Sequence, residues 1–126
     1  MQWQFVDDRP IYLQIIEQIE MFVVSGCYQP GARLPSVREL AAEAGVNPNT
    51  MQKALTELER TGLLYAQRTS GRFVTEDQER IQKSKDLLAK RQISRFLSGM
   101  AQIGYSQSQT AELILNYKPE GEETDE

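Results

Sequence analysis

Two short amphipathic segments, separated by only three residues, constrain the fold of this chain more than any other feature. The first begins at Ser36, which forms an S-x-x-E capping box with Glu39, and Gly45 is placed to end it. The second begins at Asn47 and Pro48, because Asn caps helices and Pro suits the first helical position. So short a turn predicts two helices that cross closely, the helix-turn-helix arrangement.

The second predicted helix has an apolar side and a polar side. Its apolar residues recur at the spacing of one buried face: Met51, Ala54, Leu55 and Leu58. The outward side of its first two turns carries amides, a hydroxyl and one ammonium group: Asn49, Thr50, Gln52 and Lys53. Amide side chains can pair with base edges in the DNA major groove, and this helix carries no acid before Glu57. For this helix alone, an ordinary solvated face is the alternative.

A β-hairpin is predicted directly after this helix. Residues 63–67 and 72–75 are the expected strands, because turn-forming residues separate two apolar runs. The predicted tip places two cations around small residues: Arg68, Ser70, Gly71 and Arg72. Such a tip suits a wing that lies along a DNA minor groove, whereas incidental surface charge is the alternative. The two features together predict a winged helix-turn-helix.

The run from Pro30 to Ala41 resembles the signature of the GntR family of bacterial transcriptional regulators. Three further runs continue the family pattern in the expected order: 46–51, 58–63 and 71–74. Pro10-Ile11-Tyr12 and the short tail resemble the YtrA subfamily in particular. The resemblance implies a homodimeric repressor that binds a palindromic double-stranded DNA operator and controls a nearby operon, often one for a transporter.

The resemblance also implies DNA contacts at the matching positions. Arg33, Ser36 and Arg38 are expected at phosphates or groove edges. The remaining contacts are expected from the second helix and the wing tip: Asn47, Asn49, Thr50, Gln52, Lys53 and Gly71. The family wing usually ends Gly-Thr-Phe-Val, and Arg72 stands here in place of the Thr. This departure is expected to alter the wing contacts without harming the fold.

Two more helices are predicted after the wing. One runs from a cap at Thr75 to about Gln102, and Ser106 with Gln109 forms a capping box for a shorter one. About forty residues cannot bury both apolar stripes within one chain, so we expect a second copy to cover them. The expected dimerisation residues are Leu88, Phe96, Leu97, Met100, Leu113, Ile114 and Tyr117.

The predicted fold class is α+β, an N-terminal winged helix-turn-helix followed by a two-helix C-terminal dimerisation appendage. The expected domains are residues 1–75 for DNA binding, 76–117 for the appendage and 118–126 for an acidic disordered tail. A first helix after Pro10 is expected to form the back of the core, with Tyr12 buried there; contact of Tyr12 with a phosphate is the alternative. Ahead of it, Trp3 and Phe5 are expected to pack on their own domain or on a partner subunit.

Composition argues against several other functions. The chain has no His and one cysteine, Cys27, which excludes an intrachain disulfide, the common zinc sites and His-dependent catalysis. No enzyme activity, metal or cofactor is expected. Without a membrane-spanning run or a signal peptide, the cytoplasm is the expected compartment. The net charge of −4 includes five acids after residue 119, whereas residues 33–72 carry a surplus of +2.

Two alternatives to a simple repressor remain open. In one, a small-molecule effector bound between the tail and the DNA-binding domain switches DNA binding by changing the half-site spacing. In the other, the winged helix binds a protein instead of DNA.

Overall fold

The computed structural model describes residues 2–120; Met1 and residues 121–126, in which most of the predicted acidic tail lies, are outside the described part. The elements are α1 (Ile11–Val24), α2 (Val37–Ala44), α3 (Pro48–Arg60), β1 (Leu64–Gln67), β2 (Gly71–Val74), α4 (Gln78–Gln102) and α5 (Gln107–Leu115). This order confirms the predicted α+β class, a winged helix-turn-helix followed by two helices. Within residues 2–120, no helix combines the length and apolar character needed to cross a membrane.

The helix-turn-helix begins and ends at the residues that the sequence predicts. The Ser36 Oγ accepts a hydrogen bond from the Glu39 N–H at 3.1 Å, and the Glu39 carboxylate accepts one from the Ser36 N–H at 2.9 Å. Gly45 adopts a φ of +71°, a left-handed conformation that ends α2 without a Cβ penalty. The Asn47 Oδ1 accepts from the Asn49 N–H at 2.7 Å and caps α3. Local chemistry therefore fixes both helices and their turn.

One hydrophobic core joins α1, α2, α3 and the hairpin. The four predicted residues of α3 are at most 1% exposed, and they pack with buried residues of the neighbouring elements: Ile15, Ile19, Val23, Leu40, Ala41, Leu63, Leu64 and Val74. Each such large side chain contributes about 1.5–3 kcal/mol when fully buried. Ile11, the first residue of α1, is 38% exposed, whereas Ile15, one helical turn later, is fully buried.

Glutamine side chains of α1 hold an extended N-terminal arm against this core. The Gln14 side chain is buried; it accepts from the Val6 N–H and donates to the Val6 and Arg9 carbonyls, each at 2.8 Å. Gln18 pairs with the backbone of Gln4 in the same two-way manner. The arm carries Trp3 onto the Phe22 ring, with centroids 5.1 Å apart. Of the two expected positions for the arm, the structure shows packing on its own domain.

The wing is hydrogen-bonded on both edges of β2. β1 pairs with it antiparallel, with Leu64 opposite Val74. On the other edge, the Leu34 N–H donates to the Arg72 carbonyl at 2.8 Å, and the Val74 N–H donates to the Ala32 carbonyl at 2.9 Å. β2 is therefore a central strand, and residues 68–70 form the exposed turn at the end of the wing.

The chain consists of two compact units with their boundary after Leu88, so the start of α4 belongs to the winged-helix unit. There, the Arg80 guanidinium donates to the Thr61 carbonyl at 2.6 Å and to the Ser84 hydroxyl at 2.7 Å. The second unit, which we call the tail unit (residues 89–120 of the described chain), contains the rest of α4 and α5. Its α5 begins with the predicted capping box of Ser106 and Gln109.

Candidate nucleic-acid interface

The outward face of α3 carries polar side chains opposite its buried ones. We call Asn49, Gln52, Lys53 and Thr56 the α3 strip; all four are exposed, and they repeat at the helical period. Thr50 lies beside the strip and is half-buried. The Gln52 amide reaches the Thr56 hydroxyl at 3.4 Å, a long hydrogen bond that a better acceptor can replace. The strip therefore offers amide, hydroxyl and ammonium donors to a ligand in solution.

Two arginines pair with the acids at the C-terminal end of α3. Arg60 contacts the Glu57 carboxylate at 2.5 Å and 2.9 Å, and this hydrogen bonding lowers the pKa of the Glu57 carboxyl. The Arg72 Nε donates to the Glu59 Oε1 at 2.5 Å. The charges of both carboxylates are thus compensated by arginines. This arrangement favours an anionic partner for α3.

Lys53 of the strip is held in place by Tyr12 of α1. The Lys53 Nζ lies 4.2 Å from the centroid of the Tyr12 ring, a cation–π contact that orients the ammonium group. Tyr12 is half-buried and lies at the site instead of in the core, where it was expected. The expectation failed because the two residues are distant in sequence and only the packing of α1 on α3 brings them together.

Ser36 and Arg38 lie at the start of α2, Asn47 lies in the turn before α3, and all three side chains are exposed. Ser36 and Asn47 use side-chain oxygens as helix caps, so Asn47 keeps its amide N–H groups for a ligand. Arg38 makes no salt bridge within residues 2–120. At the start of α2, Arg38 is therefore a cation available to a phosphate.

The wing tip brings three of its predicted residues to the surface. Arg68 and Ser70 are exposed in the turn, and Gly71 follows with a φ of +108°. A Cβ added to Gly71 would lie 3.1 Å from the Arg33 Nε, so the exposed Arg33 guanidinium passes close to this glycine. Glycine is needed here both for its backbone conformation and for that close approach.

Arg72 lies in a different place from the expected wing tip. It stands opposite Ala66 within β2 and faces the same side as the fully buried Val74, because side chains alternate along a strand. The side chains of Arg72 and Glu59 are 18% and 28% exposed, and their ion pair joins β2 to α3. The two-residue spacing from Val74 indicated this direction in advance, but the sequence did not identify the acceptor.

The tail unit exposes most of the residues that were expected to dimerise. Phe96, Leu113, Ile114 and Tyr117 are 45% to 72% exposed, and Leu97 and Met100 are half-buried. An open groove of about 840 Å³ is lined by both apolar and polar tail residues: Phe96, Met100, Thr110, Leu113, Ile114, Asn116, Tyr117, Lys118 and Glu120. Leu88 is an exception. Only 7% of it is exposed, so burial within the single chain leaves little of it for a partner.

Comparison with known proteins identifies the family. The family described as "Bacterial regulatory proteins, gntR family" matches residues 11–74, from the start of α1 to the end of β2. YhcF of Bacillus subtilis, an uncharacterized HTH-type transcriptional regulator, is 37% identical over 121 residues, which are 96% of this chain and 100% of YhcF. The HTH-type transcriptional repressor YtrA of the same organism is 47% identical over 68 residues, 54% of this chain and 52% of YtrA.

A solved structure adds the nucleic-acid context. AraR(DBD), crystallised in complex with operator ORX1, has 30% sequence identity and a TM-score of 0.55. The match covers 60% of this chain and 96% of that one. The residues that the family matches contain α2, α3 and the wing, the elements that carry the exposed polar surface described above. The chain belongs to the GntR family and is a DNA-binding transcriptional regulator, not an enzyme.

Proposed function

We propose that this regulator is a homodimeric repressor that occupies a palindromic operator, with α3 in the major groove and the wing tip at the minor groove or the adjacent phosphates. One observation carries the proposal. The α3 strip exposes donors, and both acids at the end of the same helix are paired with arginines. A surface of this kind approaches DNA without repulsion and presents amides suited to base edges.

The proposed roles follow from the hydrogen-bonding groups and the charge of each side chain. Asn49, Thr50 and Gln52 are assigned to base edges, since amides and hydroxyls on a recognition helix read bases directly. The cations, the two helix-capping residues and the wing-tip residues are assigned to phosphates and groove walls: Arg33, Ser36, Arg38, Asn47, Lys53, Arg68, Ser70 and Gly71. The small surplus of cations, +2 over residues 33–72, implies weak non-specific binding and a reliance on base contacts.

The proposed dimer rests on the exposed apolar residues of the tail unit. A second copy that covers the groove residues would remove this surface from water, and a two-fold axis would present two α3 strips to one duplex. Half-sites about 34 Å apart, or a multiple of that distance, match one face of B-DNA. Repression is supported by the name of YtrA, and an operator by the complex of AraR(DBD).

The test is fluorescence anisotropy on DNA from upstream of the protein's own reading frame, against a scrambled duplex, over a salt series. Gln52→Ala should cost about 1–3 kcal/mol on the operator and relax specificity at one base position. Arg38→Ala should weaken both duplexes alike and reduce the salt slope by about one. If both variants bind like the wild type, α2 and α3 are not the DNA-reading elements. That result would favour the alternative in which the winged helix binds a protein.

A second candidate function uses the tail groove for a small molecule instead of for a second copy of the chain. Its volume of about 840 Å³ lies within the range of small-molecule sites, and polar groups of Asn116, Lys118 and Glu120 border the apolar lining. We infer that an apolar effector with one polar end would fit there. Thermal shifts over a metabolite panel test this, with Ile114→Asp as the matched variant. No shift with any compound, or equal shifts in both proteins, would contradict the effector site.

A further inference from the structure

We propose that Arg72 is a positioning residue: through Glu59 it holds the wing at a fixed place relative to the recognition helix, and it does not contact DNA itself. The inference rests on the proposed DNA-reading function.

The pair joins the two elements that would read the operator. Glu59 follows Thr56 by one helical turn, so it lies at the C-terminal end of the α3 strip. Arg72 lies in β2, whose backbone is hydrogen-bonded to Leu34 on one edge and pairs with β1 on the other. Because the Arg72 backbone is fixed on both edges, a restraint on its side chain acts on the whole wing.

The surroundings make this ion pair more effective than an ordinary surface pair. Both side chains are less than one third exposed, so solvent and salt screen their attraction incompletely. Removing either partner would leave the other charge half-buried without compensation. The Arg60–Glu57 pair on the same helix provides a natural comparison, because the Arg60 side chain is 70% exposed and both partners belong to α3. That pair cannot restrain the wing.

Direct contact and positioning predict opposite signs for one substitution. If Arg72 were a phosphate contact restrained by Glu59, Glu59→Gln would remove a nearby anion and release the arginine, and DNA binding would tighten. If Arg72 positions the wing through Glu59, the same change loosens the wing, and operator binding weakens. The sign of the Glu59→Gln effect on operator affinity therefore separates the two roles.

The experiment uses the full chain with Glu59→Gln, Arg72→Gln, the double variant, the charge-swapped pair Glu59→Arg with Arg72→Glu, and Arg60→Gln as the matched control. The first readout is hydrogen exchange in the free protein at the Leu34 and Val74 amides, which attach β2 to residues 32–34. The second is operator affinity over a salt series, whose slope counts phosphate contacts.

We expect Glu59→Gln and Arg72→Gln to speed exchange at both amides and to weaken operator binding, each by about threefold to tenfold. The double variant should be no worse than either single one, the swapped pair should recover part of the loss, and Arg60→Gln should change neither readout. The salt slope should stay that of the wild type, because no phosphate contact is lost.

Three results would overturn the proposal: tighter DNA binding by Glu59→Gln, a salt slope reduced by about one in Arg72→Gln alone, or unchanged exchange at the wing amides. The exchange readout needs no DNA, so it decides whether the pair holds the wing even if the wild type prefers no operator. In that event the proposed function fails by its own test, and faster exchange would still establish the structural half of the inference.

Discussion

The winged-helix unit and the tail unit bury their apolar side chains to very different extents. In the first, residues from three helices and the hairpin form a core that is at most 3% exposed. In the tail unit, Thr110 is the one buried residue among those described, while Ile103, Ile114, Leu115 and Tyr117 are more than half exposed. The first unit completes its core within one chain. The second presents apolar surface of the kind that marks an interaction site.

The largest expected effect belongs to the winged-helix core. Leu55→Ala removes a side chain that is 1% exposed at the centre of α3, so the free energy of unfolding should fall by about 2–5 kcal/mol. Urea denaturation followed by circular dichroism measures it. The control is Leu115→Ala, a residue that is 84% exposed, which should change stability by less than about 0.5 kcal/mol. Equal effects of the two substitutions would remove the contrast between the units.

The second prediction concerns the tail groove. Ile114→Asp places a carboxylate among the groove residues, and we expect the dimer to dissociate about 100-fold more readily, near 2.7 kcal/mol, because the charge must be desolvated in the interface. Sedimentation equilibrium measures the association constant. Urea stability of the winged helix, measured on the monomer, should be unchanged.

The control for this variant introduces the same acid elsewhere on α5. Ser108→Asp places a carboxylate at an exposed first-turn position that does not line the groove, where the helix dipole favours it. Its association constant should match that of the wild type. A wild-type protein that is monomeric at high concentration, or two variants that behave alike, would contradict a tail-mediated dimer.

Equivalent capping boxes in the two units allow a sharper comparison. The boxes at Ser36 and Ser106 have the same two hydrogen-bond lengths, 2.9 Å and 3.1 Å. Either Ser→Ala change should cost about 1 kcal/mol of helix capping. We expect Ser36→Ala to lower the global free energy of unfolding, since α2 is part of the core, and Ser106→Ala to weaken dimerisation. If Ser36→Ala weakened dimerisation and Ser106→Ala lowered the global free energy of unfolding, the tail unit would be the one that folds without a partner.

The smallest effect at neutral pH is expected at Tyr28, at the edge of the core. Burial, with smaller contributions from the negative charges of Glu43 and Cys27, raises the pKa of Tyr28 to about 12, and its hydroxyl has no hydrogen-bond partner among the described residues. As the pH rises, the Tyr28 hydroxyl therefore ionises in the unfolded chain first, near pH 10. Tyr28 costs no stability below that pH and reduces it progressively between pH 10 and 12.

Tyr28→Phe should leave the free energy of unfolding at pH 7 within about 0.5 kcal/mol of the wild type. Between pH 7 and pH 11, the free energy of unfolding should fall by up to about 1.4 kcal/mol less in the variant than in the wild type. Urea denaturation at the two pH values measures both quantities, with Tyr117→Phe, a 72% exposed tyrosine, as the control. A variant that loses as much stability as the wild type between pH 7 and pH 11 would show that the Tyr28 hydroxyl is hydrated in the fold.

The features that the sequence revealed are those set by residues close together in the chain. The capping box at Ser36, the left-handed Gly45 and the α3 stripe depend on neighbours within one or two helical turns, and all are present in the structure. The features it missed depend on distant partners. Tyr12 meets Lys53 and Arg72 meets Glu59 only after the elements pack, and Leu88 is buried although its spacing suggested a free stripe.

The most direct test of a regulator that places two α3 strips on one duplex is the binding of the full chain to its operator as the spacing between half-sites is varied. Light scattering of the complex should give two chains per duplex, and insertion of about five base pairs should reduce affinity to that of a single half-site, because it rotates the second half-site to the opposite face of the DNA. Ile114→Asp should bind at the half-site level with either spacing. One chain per duplex, with affinity indifferent to the inserted base pairs, would contradict the proposed dimer.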